Sequence, residues 1–151
     1  MATSKSLAST DDLDSANFWK LENANQAYWD TCLSTRPAYQ ASNFYTLMYD
    51  YHASHSLSPT PSFAVAHDIG TGPGQVAAQF ASRFAHVVAS DNNETSLDEA
   101  RRRLSVTSSA GRASFALSTC EAIASHYSAQ SADFIAAAEC FPLMKCEGGA
   151  G

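Results

Sequence analysis

Residues Ala66 to Ala81 read AHDIGTGPGQVAAQFA, and three glycines, Gly70, Gly72 and Gly74, fall within five positions between an apolar run and an alanine-rich stretch. Glycine at that density is costly, because each one loses more backbone freedom on folding than any other residue and packs nothing. The spacing therefore predicts a tight strand-to-helix turn that a ligand or a neighbouring element approaches closely.

The flanking pattern supports such a turn. FAVAHDIG reads as a buried strand, GPGQVAAQFASRF as a helix, HVVASD as a second strand and TSLDEARRRLS as a second helix. ASFALST follows as a third strand, then a short helical turn after Glu121, and ADFIAAAECF as a fourth strand or a strand running into a loop. This alternation predicts an α/β, Rossmann-like parallel sheet of about four strands, with right-handed crossovers and helices on both faces.

Two helices are expected ahead of the sheet. Ser15 can cap one whose Phe18, Leu21, Tyr28, Trp29 and Cys32 share a face, before Arg36-Pro37 interrupts it. Ser42 can start the other, with Phe44, Leu47, Met48 and Tyr51 as its buried stripe. ASHSLSPTPS, from Ala53 to Ser62, is a linker by composition. The expected organisation is a disordered tail over 1–14, a helical lead-in and linker over 15–62, a ligand-binding domain over 63–144 and an irregular tail over 145–151.

Composition narrows the function. A length of 151 residues suits one domain, and a net charge of −6 gives no footprint for nucleic acid or an anionic membrane. The run Arg101-Arg102-Arg103 falls late in a predicted helix, where cations complement the dipole, and is expected to be solvated. No apolar run approaches the roughly 18 residues of a membrane span, and MATSKSLASTDDLD has no apolar leader core. Cys32, Cys120, Cys140 and Cys146 form no CxxC pair, and the five histidines offer no zinc spacing. Thiols in a reducing compartment, no metal and a cytoplasmic location are the expectation.

In folds of this type a ligand sits outside the carboxyl ends of the strands. Gly70 is expected to make the tight turn, Gly72 to leave room for the ligand, and Gly74 to bring the next helix close onto the sheet, with Pro73 near its first position. Asp91 closes the second strand about twenty residues beyond Gly70, where an acid can accept both hydroxyls of a ribose. An adenosine-bearing ligand follows. Gln75 occupies the place of the last glycine in the GxGxxG nicotinamide fingerprint, and no Tyr-x-x-x-Lys relay is present, which disfavours an NAD(P)-dependent oxidoreductase.

HDIGTGPGQ together with VVASDNNETSLDEAR resembles the cofactor motif of class I S-adenosylmethionine-dependent methyltransferases. ALSTCEAI is similar to the stretch flanking adenine in that family, and SADFIAAAECF, introduced by Asp133, to its fourth strand. YWDTCLSTRPAY resembles the lead-in of fungal members related to trans-aconitate methyltransferase. The resemblance implies that Asp68 and the backbone of Gly70, Thr71, Gly72 and Gly74 hold the methionine end of S-adenosylmethionine, Asp91 its ribose, and Asn92, Cys120 and Glu121 its adenine. Cys120 either lines the pocket or fills the core, and Arg36 either reaches the cofactor carboxylate or pairs on the surface.

The same resemblance implies a small-molecule acceptor and assigns no catalytic base. A full sheet in the family has seven strands, and an HWF-like segment follows the fourth, where this chain has Phe141-Pro142-Leu143-Met144. The expectation is thus a methyltransferase truncated after strand four, or else a non-catalytic cofactor-binding or partner subunit that has lost the acceptor pocket. In either case a second copy or a complementary chain can cover the open edge.

Overall fold

The structure, a computed structural model, describes residues 26–35 and 43–140. Two helices, α1 (Gln26–Thr35) and α2 (Phe44–Ser54), precede an alternation of β1 (Val65–Ile69), α3 (Gln75–Arg83), β2 (His86–Asp91), α4 (Glu94–Ser105) and β3 (Ala113–Leu117). A 3-10 turn (Ile123–Ser125) leads to β4 (Phe134–Ala136). The strands form one parallel sheet in the order β3-β2-β1-β4, the Rossmann-like arrangement expected. Strand order reverses beside β1, so the crevice of a doubly wound sheet opens between the carboxyl ends of β1 and β4.

Register decides which residues meet the helices. Ala66 lies opposite both Val87 and Phe134, Val87 opposite Ala113, Ala89 opposite Phe115, and Asp68 opposite Ala89 and Ala136. Side chains alternate across a strand, so these residues share one face. Onto it pack Val76, Ala77, Phe80 and Ala81 of α3, Leu104 of α4, Tyr45 of α2, and Phe84. Alanine at so many strand positions leaves depth for rings: Phe80 and Phe84 are fully buried, and Phe80 meets Phe134 edge-on at 5.4 Å. On the opposite face the Tyr127 ring stands edge-on to His67 at 4.7 Å, and His86 Nε2 lies 2.9 Å from the Ser114 hydroxyl. Burial, with the nearby His86 adding, pushes the His67 imidazole below its ordinary pKa, and its Nε2 has no hydrogen-bond partner among the described residues.

Helix α2 turns a different stripe inward from the one its sequence suggests. Tyr45 is buried, and Met48 and Tyr49 pack on the core, whereas Phe44, Leu47 and Tyr51 are 44%, 66% and 65% exposed. Apolar and aromatic residues occupy most positions of FYTLMYDYHAS, so two stripes satisfy the same helical spacing. The one that packs is set by its neighbours: Tyr45 meets Phe80, Tyr49 meets Phe63, Phe80 and Phe84, and His52 meets Phe63 and Phe134. The helix also runs to Ser54, so the linker begins two residues later than its composition indicates.

Trp29 of α1 is buried while Tyr28 is 38% exposed. The expected start of that helix at Ser15, with Phe18 and Leu21, lies outside the described residues, as do Arg36 and Phe141 to Met144. Arg101 and Arg102 serve their own helix, Arg101 pairing with Asp98 at 2.6 Å and Arg102 gripping Glu99 through two bonds of 2.8 and 2.7 Å. No described helix is long and apolar enough to cross a membrane.

Truncating Phe80 to alanine should therefore cost about 3–5 kcal/mol in urea unfolding, whereas Leu47→Ser should stay within about 0.5 kcal/mol of the parent. Equal losses would show that α2 is turned the other way.

Candidate functional site

Between β1 and α3 the chain runs through Gly70, Gly72 and Gly74 with φ of +67°, +54° and +82°, the left-handed region open to glycine. The turn closes on itself where the Gly74 N–H donates to Thr71 O at 3.0 Å, and it is tied to the end of β2 where the Thr71 N–H donates to Ser90 O at 2.9 Å. Asp91 adds a second tie. Its Oδ2 accepts the Gly72 N–H at 2.8 Å and its Oδ1 accepts the Asn93 N–H at 2.9 Å, so one carboxylate holds the loops after β1 and after β2. Beneath the turn, the Thr71 hydroxyl donates to Asp68 Oδ2 at 2.6 Å.

The three glycines have separate steric reasons. A Cβ on Gly72 would meet nothing within 4 Å, so that position opens onto space. A Cβ on Gly74 would stand 3.0 Å from Ala100 Cβ and 3.0 Å from Leu104 Cδ1. The close neighbour of Gly74 is therefore helix α4 and not the sheet, which corrects the role read from sequence. Pro73 likewise stands ahead of Gly74, the cap residue, and so precedes the first helical position. A Cβ on Gly70 would collide with Cys140, whose Cβ and Sγ lie 2.5 and 2.6 Å from that point. Cys140 fills the space above Gly70 and donates its thiol proton to Ile69 O at 2.9 Å. Nothing local in the sequence announces this contact, since the two residues are distant in the chain.

A cleft at the switch point is lined by Asp68, Gly70, Thr71, Gly72, Pro73, Gln75 and Val76 on one side and by Ala138 and Glu139 on the other. Two carboxyls at the glycine loop are perturbed. Asp68 is 1% exposed, and burial, with the charge of Asp91 adding, pushes its carboxyl up to about 7 against the opposing Thr71 hydroxyl and Ala77 N–H. Burial also raises Asp91, opposed by the backbone N–H groups of Gly72, Asn93 and Asn92. The Cys140 thiol is pushed up to about 11 by burial and then by Asp68, and the Cys120 thiol is raised by burial and then by Glu121. Neither is poised as a nucleophile at neutral pH.

Of the residues singled out in the sequence, Asp68, Gly70, Thr71, Gly72, Gly74 and Asp91 meet in this loop. Asn92 is exposed and joins through its backbone. Half-buried Cys120 and exposed Glu121 stand just past β3, outside the lining of the cleft. Cys140, Ala138 and Glu139 complete the site from the far side and were not among the sequence candidates; they fall inside ADFIAAAECF, read as a fourth strand or a strand running into a loop, of which β4 takes only Phe134–Ala136.

A parallel sheet with a glycine loop at its switch point and an acid at the end of the neighbouring strand defines a doubly wound α/β domain whose crevice opens at that loop. A family profile described as methyltransferase domain matches residues 66–148, and the chain belongs to that family. Methyltransferase pgmE of Aspergillus terreus is 44% identical over 131 residues, covering 87% of this chain and 38% of that protein. Methyltransferase cfoB of Aspergillus candidus is 39% identical over 122 residues, covering 80% and 36%. The chain thus spans less than two fifths of the length of these curated relatives. Among solved structures it is similar to phosphoethanolamine N-methyltransferase 1 of Haemonchus contortus, determined with phosphoethanolamine and S-adenosylhomocysteine, with 23% identity, a TM-score of 0.35, and coverage of 61% of this chain and 20% of that one.

The raised acids fix a pH dependence. A carboxyl whose pKa is higher in the folded chain favours the protonated form there, so its contribution is fully present at low pH and is lost as pH climbs from about 4 to about 7. For Asp68 the loss is at most on the order of 4 kcal/mol. Urea midpoints taken at pH 5 and pH 8 should fall for the parent and change less for Asp68→Asn; parallel profiles would contradict a raised Asp68. Gly72→Ala and Gly74→Ala both impose an unfavourable φ, but only the second adds a collision, so Gly74→Ala should melt at the lower temperature.

Proposed function

We propose that this chain forms the cofactor-binding half of an S-adenosylmethionine-dependent methyltransferase acting on a small-molecule acceptor. The observation that carries the reading is the bond from the Gly72 N–H to Asp91 Oδ2 at 2.8 Å. It joins an acid suited to a ribose diol to a loop whose Gly72 leaves open space beside the cleft, in a chain of the methyltransferase domain family. The residues fit that cofactor: a carboxylate offers about four acceptor sites, and the backbone donors at Asp91 do not exhaust them.

In this reading Asp91 and Asn92 hold the nucleoside, the backbone from Gly70 to Gly74 cradles the amino-acid end, and Cys120 and Glu121 flank the adenine. When bound, the cofactor supplies an electrophilic methyl group on a sulfonium. The chain contributes orientation and exclusion of water, which suffice for many in-line transfers, and no residue is assigned as a base. A cytoplasmic setting accords with Cys32, Cys120 and Cys140 being thiols and not disulfides.

One feature favours a second reading, a non-catalytic cofactor-binding or partner subunit. Strand β4 pairs with β1 alone among the described strands, and Ile135 is 61% exposed. Such an edge suits a second copy or a complementary chain.

Asp91→Ala should weaken S-adenosylhomocysteine binding by tenfold to a hundredfold, about 1.5–3 kcal/mol, in titration calorimetry. Unchanged affinity, or a preference of the parent for NAD, would sink the assignment. Ile135→Lys should reduce association in light scattering and leave cofactor affinity alone. A monomeric parent that methylates a small acceptor would instead remove the need for a covering chain.

A further inference from the structure

A turn over 138–140 lies across the crevice beside the glycine loop. Along β1 alternate carbonyls face β4, as where Val65 O accepts the Asp133 N–H at 2.8 Å. Ile69 O belongs to the same series but lies past the last pair of the β1–β4 ladder, Asp68 opposite Ala136. The donor that reaches it is the Cys140 thiol, at 2.9 Å. The Cβ and Sγ of Cys140 stand 2.5 and 2.6 Å from the point a Cβ on Gly70 would take, so this side chain rests directly on the loop. Ala138 and Glu139, just before it, form the far wall of the cleft.

Three features suit this closure to opening. A thiol is a weak hydrogen-bond donor. Glu139 holds φ +61°, a left-handed conformation that a residue with a Cβ adopts at a cost. Ala138 and Glu139 are exposed, so little buried surface is given up when they move. Burial, and then Asp68, keep the thiol protonated at neutral pH, so the bond to Ile69 does not depend on titration there. We infer that the turn over 138–140 is a strap across the mouth of the glycine loop, with the Cys140 thiol as its catch on Ile69 O, and that it swings away when the cleft takes its ligand. The inference rests on the S-adenosylmethionine reading for the identity of that ligand. A molecule that reaches Gly70 needs the space Cys140 fills, so the closed strap and the bound ligand exclude each other. The apparent affinity is then the intrinsic one reduced by the fraction of chains whose strap is open.

Two measurements on the full chain test the strap: titration calorimetry with S-adenosylhomocysteine, and hydrogen exchange without it. Cys140→Ala removes the catch, so S-adenosylhomocysteine should bind about threefold to tenfold more tightly than to the parent. The peptide spanning 138–140 should also exchange faster. Cys140→Ser restores a donor of similar size and should return both readings toward the parent. Weaker or unchanged binding by Cys140→Ala, where the parent binds, would reduce Cys140 to packing and overturn the inference, as would equal exchange rates. If neither chain binds S-adenosylhomocysteine, the S-adenosylmethionine reading falls and the exchange rates decide alone: faster exchange over 138–140 in the alanine variant upholds the strap, and an equal rate removes it.

Discussion

The site depends on a single carboxylate. Asp91 uses one oxygen for the Gly72 amide and the other for the Asn93 amide, and so fastens together two loops that leave the sheet from adjacent strands. The bond from Thr71 to Ser90 O runs alongside it. Without these ties, a turn built from three left-handed glycines would have many conformations of similar energy. With them, the amides that edge the cleft are fixed before any ligand arrives, and the entropy of ordering the loop is met by folding and not by binding.

That arrangement has an electrostatic cost. Two carboxyl groups stand within interaction range of each other under a loop that brings no basic side chain to the cleft, and burial raises both. The start of α3 offsets part of this, since the Ala77 N–H points at Asp68 near the positive end of the helix. The sheet and helices below are held by hydrocarbon: Phe80, Phe84, Val87 and Leu97 are fully buried. A well-packed layer thus supports a strained polar one, as is common where a fold positions a binding site.

Much of this was legible in the sequence because it is local. Strand β2 lies where HVVASD indicates, from His86 to Asp91, and the glycine loop joins β1 to α3 as its spacing requires. The parallel sheet followed from alternation alone. What failed to show is whatever depends on a partner distant in the chain. The inward stripe of α2 was chosen by rings on α3 and by Phe63, not by periodicity, which both stripes satisfied. The neighbour of Gly74 proved to be Ala100, because the approach of one helix to another leaves no mark within either helix. Cys140 against Gly70 is the extreme case: a glycine explained in sequence by its turn is also required by a side chain from the other end of the fold.

Strand β4 has only three residues, too few for its ladder to define much by itself. It is fastened at both ends instead. Before it, Asp133 Oδ2 accepts the N–H groups of Ala64 and Val65 at 2.9 and 2.8 Å; after it, the sulfur of Cys140 reaches Ile69 O. The strand behaves like a bridge carried on two piers. Freedom to vary should accordingly be unevenly distributed along it: Ile135 at mid-span can change with little effect on the fold, while the polar residues that flank the strand set its height and its register, and through them the width of the opening beside Gly70.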